Sequence, residues 1–381
     1  MKSNSKLIIV EGLPGSGKST IAQFIAHQLQ RNNEEAQWYY EVGLQHPLEF
    51  SSEACLSEKE NYELLNRYSE FRSILETEGH KRYNRYFYKY VEIQRKYKDT
   101  LPEILIEELE TFDIENGNVN NYMELKAKKW NEYIENKNSS QEITVIESSF
   151  FQGPIVTMLL EDKSKTEIKN YVGELLDIVK GSKPTLIYFY QKDIEAFIRR
   201  MFNLRGSGFT DYIIDMICKS SYGKKRKLKG IEGAISFFTE YRNIGDELYS
   251  EFNISKVAIE NSQGQWENYK EEILKIIDVE FKEDSVIPVE ILEQYVGEYA
   301  NKKVQREFFI RLEQGNLFLY TNQTYKERLI PIYNNSFHIE ASTLDIIFLK
   351  NKSGIVNRFI IGGRDTAASY GQVGLAFNRI S

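Results

Sequence analysis

Only two cysteines occur among the 381 residues. Cys55 and Cys218 lie far apart without metal-ligand spacing, which excludes a disulfide framework and a cysteine-bound zinc and leaves reduced thiols as the expectation. Long hydrophobic runs are also missing, and none approaches the roughly 20 residues that cross a bilayer. Met1-Lys2-Ser3-Asn4-Ser5-Lys6 leads straight into an apolar stretch, so no signal peptide and no membrane partner are expected, and the cytoplasm is the expected location. Positive charge is in deficit, with 49 Lys and Arg against 56 Asp and Glu and a net charge of −7. A general nucleic-acid binder needs a basic surface to displace counterions, so nucleic acid is not an expected partner. The Asp-x-x-Gly and Asn-Lys-x-Asp signatures of signalling GTPases are absent; Gln191-Lys192-Asp193 echoes the second without its asparagine.

What the chain does have is dominated by Gly12-Leu13-Pro14-Gly15-Ser16-Gly17-Lys18-Ser19-Thr20, which completes G-x-x-x-x-G-K-[ST]. The flanks fit: Leu7-Ile8-Ile9-Val10 reads as a buried parallel strand, and Ile21, Phe24, Ile25 and Leu29 share one face at helical spacing. Glycines in such a loop let successive backbone N–H groups converge on a β-phosphate. Lys18 then reaches the β/γ oxygens and the Ser19 hydroxyl ligates Mg²⁺. The nine loop residues are therefore the expected nucleotide-binding set, with ATP and Mg²⁺ as the expected cofactors.

With 41% apolar residues, the chain can bury more than one core. Four further apolar runs, Gln37–Tyr40, Ile143–Ile146, Thr185–Tyr190 and Lys256–Ile259, alternate with helical stretches. Together with the first they predict an α/β fold around a five-stranded parallel sheet. Residues 57–136, rich in Glu, Lys, Tyr and Arg, read as a helical cap inserted between the second and third strands. Leu64, Leu65, Tyr68, Phe71 and Leu75 keep a helical period, and Tyr83, Tyr86, Phe87, Tyr90, Ile93 and Tyr97 continue one. That aromatic stripe suits core packing or, alternatively, base stacking. After a linker at Phe281–Ser285, short turn-separated runs at 308–312, 317–320, 329–332, 336–339, 346–349 and 355–361 predict a small antiparallel β-barrel. The expected division is thus a phosphate-loop domain over 1–282 and a barrel over 286–381. A barrel of this size either holds an apolar ligand or fills itself with side chains.

The glutamate before the first loop glycine, in Val10-Glu11-Gly12, resembles thymidylate kinases and deoxyribonucleoside kinases. In the latter a glutamate at the end of the second strand takes the proton of the substrate hydroxyl, and Glu41 after Trp38-Tyr39-Tyr40 holds the matching place. Their third strand ends in Glu-Arg-Ser. Here it ends in Glu147-Ser148-Ser149, so the glutamate matches and the arginine does not. Arg199, Arg200 and Arg205 before Gly206-Ser207-Gly208 look like that family's arginine-bearing lid, over about 199–230. Glu41–Pro47 and Ile146–Gln152 also resemble a group of little-characterised bacterial ATP-binding proteins. Leu292–Tyr299 is similar to the lipocalin-like domain appended to some beta-lactamase-type hydrolases.

These resemblances imply a P-loop NTPase of the nucleoside/nucleotide-kinase type, an ATP-dependent phosphotransferase acting on an unidentified small-molecule hydroxyl or phosphate. Lys18, Glu41, Glu147, Arg199 and Arg205 are its expected catalytic residues, and Ser19 and Glu147 its metal ligands. The bland readings stand beside these. Glu41 alternatively caps a segment or pairs with a lysine, His46 is structural or poised beside the site, and the arginines belong in part to a solvated helix face. Lys224-Lys225-Arg226-Lys227 with Lys229 suits a solvated loop better than a phosphate site, and Gly362-Gly363-Arg364-Asp365 reads as a hairpin turn. The competing function is a nucleotide-gated binding protein whose barrel takes a ligand or partner. A homodimer stays open.

Overall fold

The computed structural model describes residues 5–115, 117–137, 140–321, 325–367 and 371–380. Met1 to Asn4, from which the absence of a signal peptide was read, lie outside them. No helix among the described residues is long and apolar enough to cross a membrane.

Strand β1 (Leu7–Gly12) is buried along its whole length, as a central parallel strand covered on both faces must be. The phosphate loop follows and opens into α1 (Lys18–Arg31), whose Ile21, Ile25 and Leu29 face the sheet. β2 (Ala36–Tyr39) returns to the sheet edge.

The insertion that comes next is not purely helical. It contains β3 (Glu53–Leu56), α2 (Glu58–Arg67), α3 (Arg72–Glu78), β4 (His80–Arg82), β5 (Arg85–Lys89), α4 (Tyr90–Lys96), α5 (Glu103–Glu110) and α6 (Val119–Lys137). The three strands pair in the order β3-β5-β4. The expected helix over Tyr83–Tyr97 is therefore corrected: residues 80–89 form a hairpin, and only 90–96 are helical. Tyr83 and Asn84 turn it with φ of 52° and 59°, the left-handed pair that a two-residue hairpin loop requires. Alternation explains the aromatics. Tyr86 and Tyr88 pack with Leu64, Leu75 and Leu105, whereas Phe87 points the other way onto Phe50 and Tyr122. The stripe packs into cores on both faces of the hairpin. A capping box of Ser57 and Glu60 starts α2, and α6 is pinned to the 49–53 loop by buried pairs, Lys126 to Glu49 at 2.6 Å and Lys129 to Glu53 at 2.8 Å.

The chain then adds β6 (Ile143–Glu147), α7 (Gln152–Leu160), α8 (Lys165–Val179), β7 (Thr185–Tyr190), α9 (Ile194–Arg205), α10 (Ser207–Lys219), α11 (Ser221–Arg226), α12 (Gly230–Glu251), β8 (Ser255–Glu260) and α13 (Trp266–Ile276). The sheet order is β2-β6-β1-β7-β8, all parallel. The connection from β1 runs to the β2 side, whereas that from β6 crosses to β7 on the other side of β1, so the loop after β1 opens where a doubly wound sheet offers its crevice.

A short α14 (Val289–Leu292) leads into β9 (Gly297–Asn301), β10 (Arg306–Glu313), β11 (Asn316–Tyr320), β12 (Lys326–Tyr333), β13 (Ser336–Ile339), β14 (Leu344–Lys350), β15 (Val356–Gly363) and β16 (Ala376–Arg379). Each strand pairs with the next, and β16 pairs back onto β9 to close an eight-stranded antiparallel barrel. The first and last strands are the ones the sequence pattern did not reveal, because each is short and only one or two of its residues face inward. The interior is filled with rings: Tyr295 stacks on Phe348 at 4.3 Å, and Phe359 lies 5.0 Å from Phe377 and 5.1 Å from Tyr299. Gly362 and Gly363 end β15 and do not form the expected hairpin turn.

The barrel is docked on the α/β domain. Gln23 of α1, almost fully buried, donates to the carbonyls of Ile339 and Ser342 at 2.9 Å each and accepts from the Ala341 N–H at 2.9 Å. One helical turn on, His27 stacks on His338 at 4.4 Å, and burial with the neighbouring imidazole pushes its pKa down to about 3. A depressed histidine contributes stability that is complete above its unfolded pKa and is lost as pH falls toward the folded one. At about pH 5, His27 should cost the protein about 2 kcal/mol relative to neutral pH. Urea unfolding at both pH values, in wild type and in His27→Phe, checks this. The comparison isolates the histidine, because buried Glu11 and Glu147, raised to about 7 and about 8, move stability in the opposite sense across pH 4.5–8. An equal acid-induced loss in both proteins would rule the interface histidine out.

Candidate nucleotide site

The phosphate loop is shaped by its three glycines. Gly12, Gly15 and Gly17 have φ of 152°, 79° and 88°. A Cβ on Gly12 would sit 2.7 Å from the Phe189 carbonyl oxygen, on Gly15 2.9 Å from Met201, and on Gly17 2.4 Å from the Trp266 ring. Gly17 is also the N-cap of α1 and offers no side-chain cap. The first N–H groups of that helix are thus left facing the loop, together with the positive end of the helix dipole.

Several side chains outside the motif brace this curve. Asn261, at the end of β8, donates from Nδ2 to the Ser16 carbonyl at 2.6 Å and accepts from Gln191 at 2.6 Å. The Tyr241 hydroxyl donates to the Gly12 carbonyl at 3.1 Å. Glu11 is fully buried and accepts backbone N–H groups from Phe150, Phe151 and Gln152 at 2.8, 2.9 and 3.1 Å, so it ties β1 to the start of α7. Sequence reasoning missed these braces. The polar residues ending strands β7 and β8 were the available signal.

Lys18 is buried at the helix start, its Nζ donating to the Leu13 carbonyl at 3.0 Å. Burial pushes its pKa down, and the carboxylates of Glu41, Glu147 and Glu11 push it back up. Ser19 donates from Oγ to Glu147 Oε2 at 2.6 Å, which joins the loop to the end of β6. Glu147 is fully buried, and its pKa is pushed up to about 8 by burial and then by Glu41, against the Ser19 hydrogen bond and Lys18. Glu41 accepts from the Gln152 amide at 2.7 Å; burial raises its pKa against the pull of Lys18. The structure thus gathers Lys18, Ser19, Glu41 and Glu147 in one place from β1, β2, β6 and the loops that follow them.

The arginines divide differently. Arg199 bonds Glu195 of its own helix at 2.9 Å and also bonds Glu232 of α12, both exposed. Arg200 lies over Phe197 and Arg205 over Phe209. The charge of Arg205 reaches Lys18 and pushes its pKa down. In the basic run, Lys225 and Arg226 pair with Asp162. His46 accepts the N–H groups of Leu48 and Glu49 on Nδ1 at 3.1 Å each, and burial lowers its pKa to about 3. It is a neutral turn-former. Both cysteines are free thiols.

A magnesium-bound triphosphate fits this arrangement. The glycine curve leaves no room for side chains, the buried Ser16 hydroxyl has no hydrogen-bond partner, and Ser19 with Glu147 offers the hard oxygen donors that Mg²⁺ prefers. Among the described residues no group of three or more His, Cys, Asp or Glu side chains is arranged to hold a metal. The ion would therefore share Ser19 with phosphate oxygens.

Trp266 packs against Gly17, at the lip of the loop. Nucleotide uptake should change its fluorescence, and Trp266→Phe should remove most of that change while leaving Trp38 and Trp130 in place. A titration signal that survives intact in the variant would show that the loop does not report through Trp266.

Residues 1–109 match the family described as Nephrocystin 3, N-terminal. The matched stretch includes the phosphate loop, Glu41 and the first part of the cap, and stops before Glu147. No curated protein matches the chain. The match and the parallel sheet together give a nucleotide-binding-like α/β domain, followed by a β-barrel.

Proposed function

We propose that the protein is an ATP-dependent phosphotransferase of the nucleoside/nucleotide-kinase type, acting on a small-molecule hydroxyl or phosphate beneath the cap. The observation that carries the proposal is the convergence of Lys18, the Ser19–Glu147 hydrogen bond at 2.6 Å and Glu41 on the phosphate loop. Bound Mg²⁺ and ATP would supply the transferable phosphoryl group and part of the charge neutralisation, and such transfer asks the protein mainly for positioning. Lys18 and the helix N-terminus set the potential that holds anionic oxygens. Glu41 would act as the base: it accepts from the Gln152 amide, and its raised pKa strengthens its hold on an acceptor proton. Arg205, whose charge reaches Lys18, would be the arginine that approaches transferred charge.

The docking of the barrel on α1 favours a second reading, in which nucleotide occupancy gates a partner held by the barrel's outer surface. Its interior is occupied by the aromatic rings, so an apolar ligand inside is disfavoured. Incubation with γ-labelled ATP and Mg²⁺ across nucleosides, nucleotides and aminoglycoside- or macrolide-like alcohols separates the readings. A labelled product supports transfer. ATP-dependent partner binding with no product across that panel overturns it in favour of gating.

A further inference from the structure

We propose that the barrel segment Arg364–Ala367 is a positioning strap that holds the loop carrying Glu41 in register with the phosphate loop. β2 is an edge strand, and an uncovered edge leaves main-chain groups open. The strap bonds the end of this strand and the loop after it. Arg364 donates to the Trp38 carbonyl at 2.6 Å, the Leu44 N–H donates to the Asp365 carbonyl at 3.1 Å, and the Ala367 N–H donates to the Val42 carbonyl at 3.1 Å. Gly43 faces Thr366 in an antiparallel bridge. Residues 38, 42 and 44 are thus held from the barrel, and they bracket Glu41.

Within itself the Glu41 loop makes short turns, Gly43 N–H to Tyr40 at 2.9 Å, His46 N–H to Gly43 at 3.2 Å and the Leu48 and Glu49 N–H groups to His46, and Ser51 donates to the Glu41 carbonyl at 3.5 Å. Such turns fix local shape and leave the angle to the sheet free. The cap reinforces the strap: Arg95 of α4 donates to the Thr366 carbonyl at 2.7 Å, and Lys89 donates to the Leu44 carbonyl at 3.3 Å. At the same end of the barrel the adjoining β13–β14 turn, whose Thr343 carbonyl accepts the Arg364 N–H at 2.9 Å, is fixed to α1 through Gln23, five residues after Lys18. One end of the barrel therefore touches both parts of the site through adjoining segments, one behind the phosphate-gripping helix and one behind the base. Since a misplacement of about 1 Å costs transfer on the order of 100-fold, a rigid brace between those parts has a catalytic consequence.

The kinetic part of this inference rests on the phosphotransferase reading, and the structural part does not. The test uses the full-length chain with Arg364→Ala. Nucleotide affinity, read from Trp266 fluorescence, should stay within about twofold, because the phosphate loop is untouched. Exchange of the Leu44 amide should accelerate by roughly tenfold or more as the strap loosens. The kcat should fall by about tenfold or more with little change in KM for ATP, and Arg364→Lys, which keeps a donor for Trp38, should restore much of it. Leu44 exchange at the wild-type rate would overturn the proposal, as would faster exchange with wild-type kcat. Should Arg364→Ala fail to fold by circular dichroism, Arg95→Ala loosens the same strap from the cap side and is judged by the same outcomes. If the wild-type protein transfers no phosphoryl group to any acceptor, the phosphotransferase reading falls alone, and Leu44 exchange still decides whether the strap holds the loop.

Discussion

Replacing Lys18 with methionine should weaken binding of Mg²⁺-ATP by roughly 10- to 100-fold, the loss expected for a charge-assisted hydrogen bond of about 1.5–3 kcal/mol. It should also abolish transfer. The same substitution should leave the melting temperature of the nucleotide-free protein unchanged or raised. Lys18 is buried and burial is the largest influence on its pKa, so removing its charge relieves a desolvation cost, and the carboxylates around it would cost stability only where they stayed ionised. Burial raises the pKa of each surrounding carboxylate, Glu41, Glu147 and Glu11, so each takes up a proton more readily once the lysine is gone. Calorimetric titration and a thermal melt on one preparation check both halves. Undiminished nucleotide affinity would remove the phosphate loop from the function, and a large drop in melting temperature would recast Lys18 as a structural cation.

The second large effect concerns Glu41. Glu41→Gln keeps the size of the side chain and an oxygen for the Gln152 amide, so the local fold should survive, while the ability to accept a proton is lost. Phosphoryl transfer should drop by about 100-fold or more with nucleotide affinity nearly unchanged, the signature of a group used in the transition state. The pH–rate profile gives an independent check. In the free enzyme, burial raises the Glu41 pKa above the usual carboxylate range, so wild-type activity should fall on the acid side at a higher pH than an exposed glutamate would give. That limb should be missing in the variant. Retained turnover in Glu41→Gln would exclude Glu41 as the base and return it to the alternative role of a loop-pairing residue.

The loop and the five sheet strands were legible because their signals are local. A run such as Leu7–Val10 states its burial through continuous hydrophobicity, and Gly12, Gly15 and Gly17 carry their backbone demands in their identity. The 80–89 hairpin was not legible in the same way. Spacings of three and four between Tyr83, Tyr86, Phe87 and Tyr90 satisfy a helix, whereas the strand reading depends on two separate cores, one for Tyr86 and Tyr88 and another for Phe87. Arg199 and Arg205 look alike in sequence. Only the position of Glu232 on α12, beside Arg199, separates them.

By itself the sequence determined the phosphate loop, the parallel sheet and the presence of a second, β-rich domain, because hydrophobic period and glycine placement act over a few residues. The tertiary structure decided which carboxylates surround Lys18, that the barrel closes through β9 and β16, and that its Arg364–Ala367 segment lies along the loop that follows β2. Those outcomes depend on hydrogen bonds between residues hundreds of positions apart, such as Gln23 with Ser342 and Trp38 with Arg364. Such contacts leave no local period in the chain, since their geometry exists only once both domains have folded.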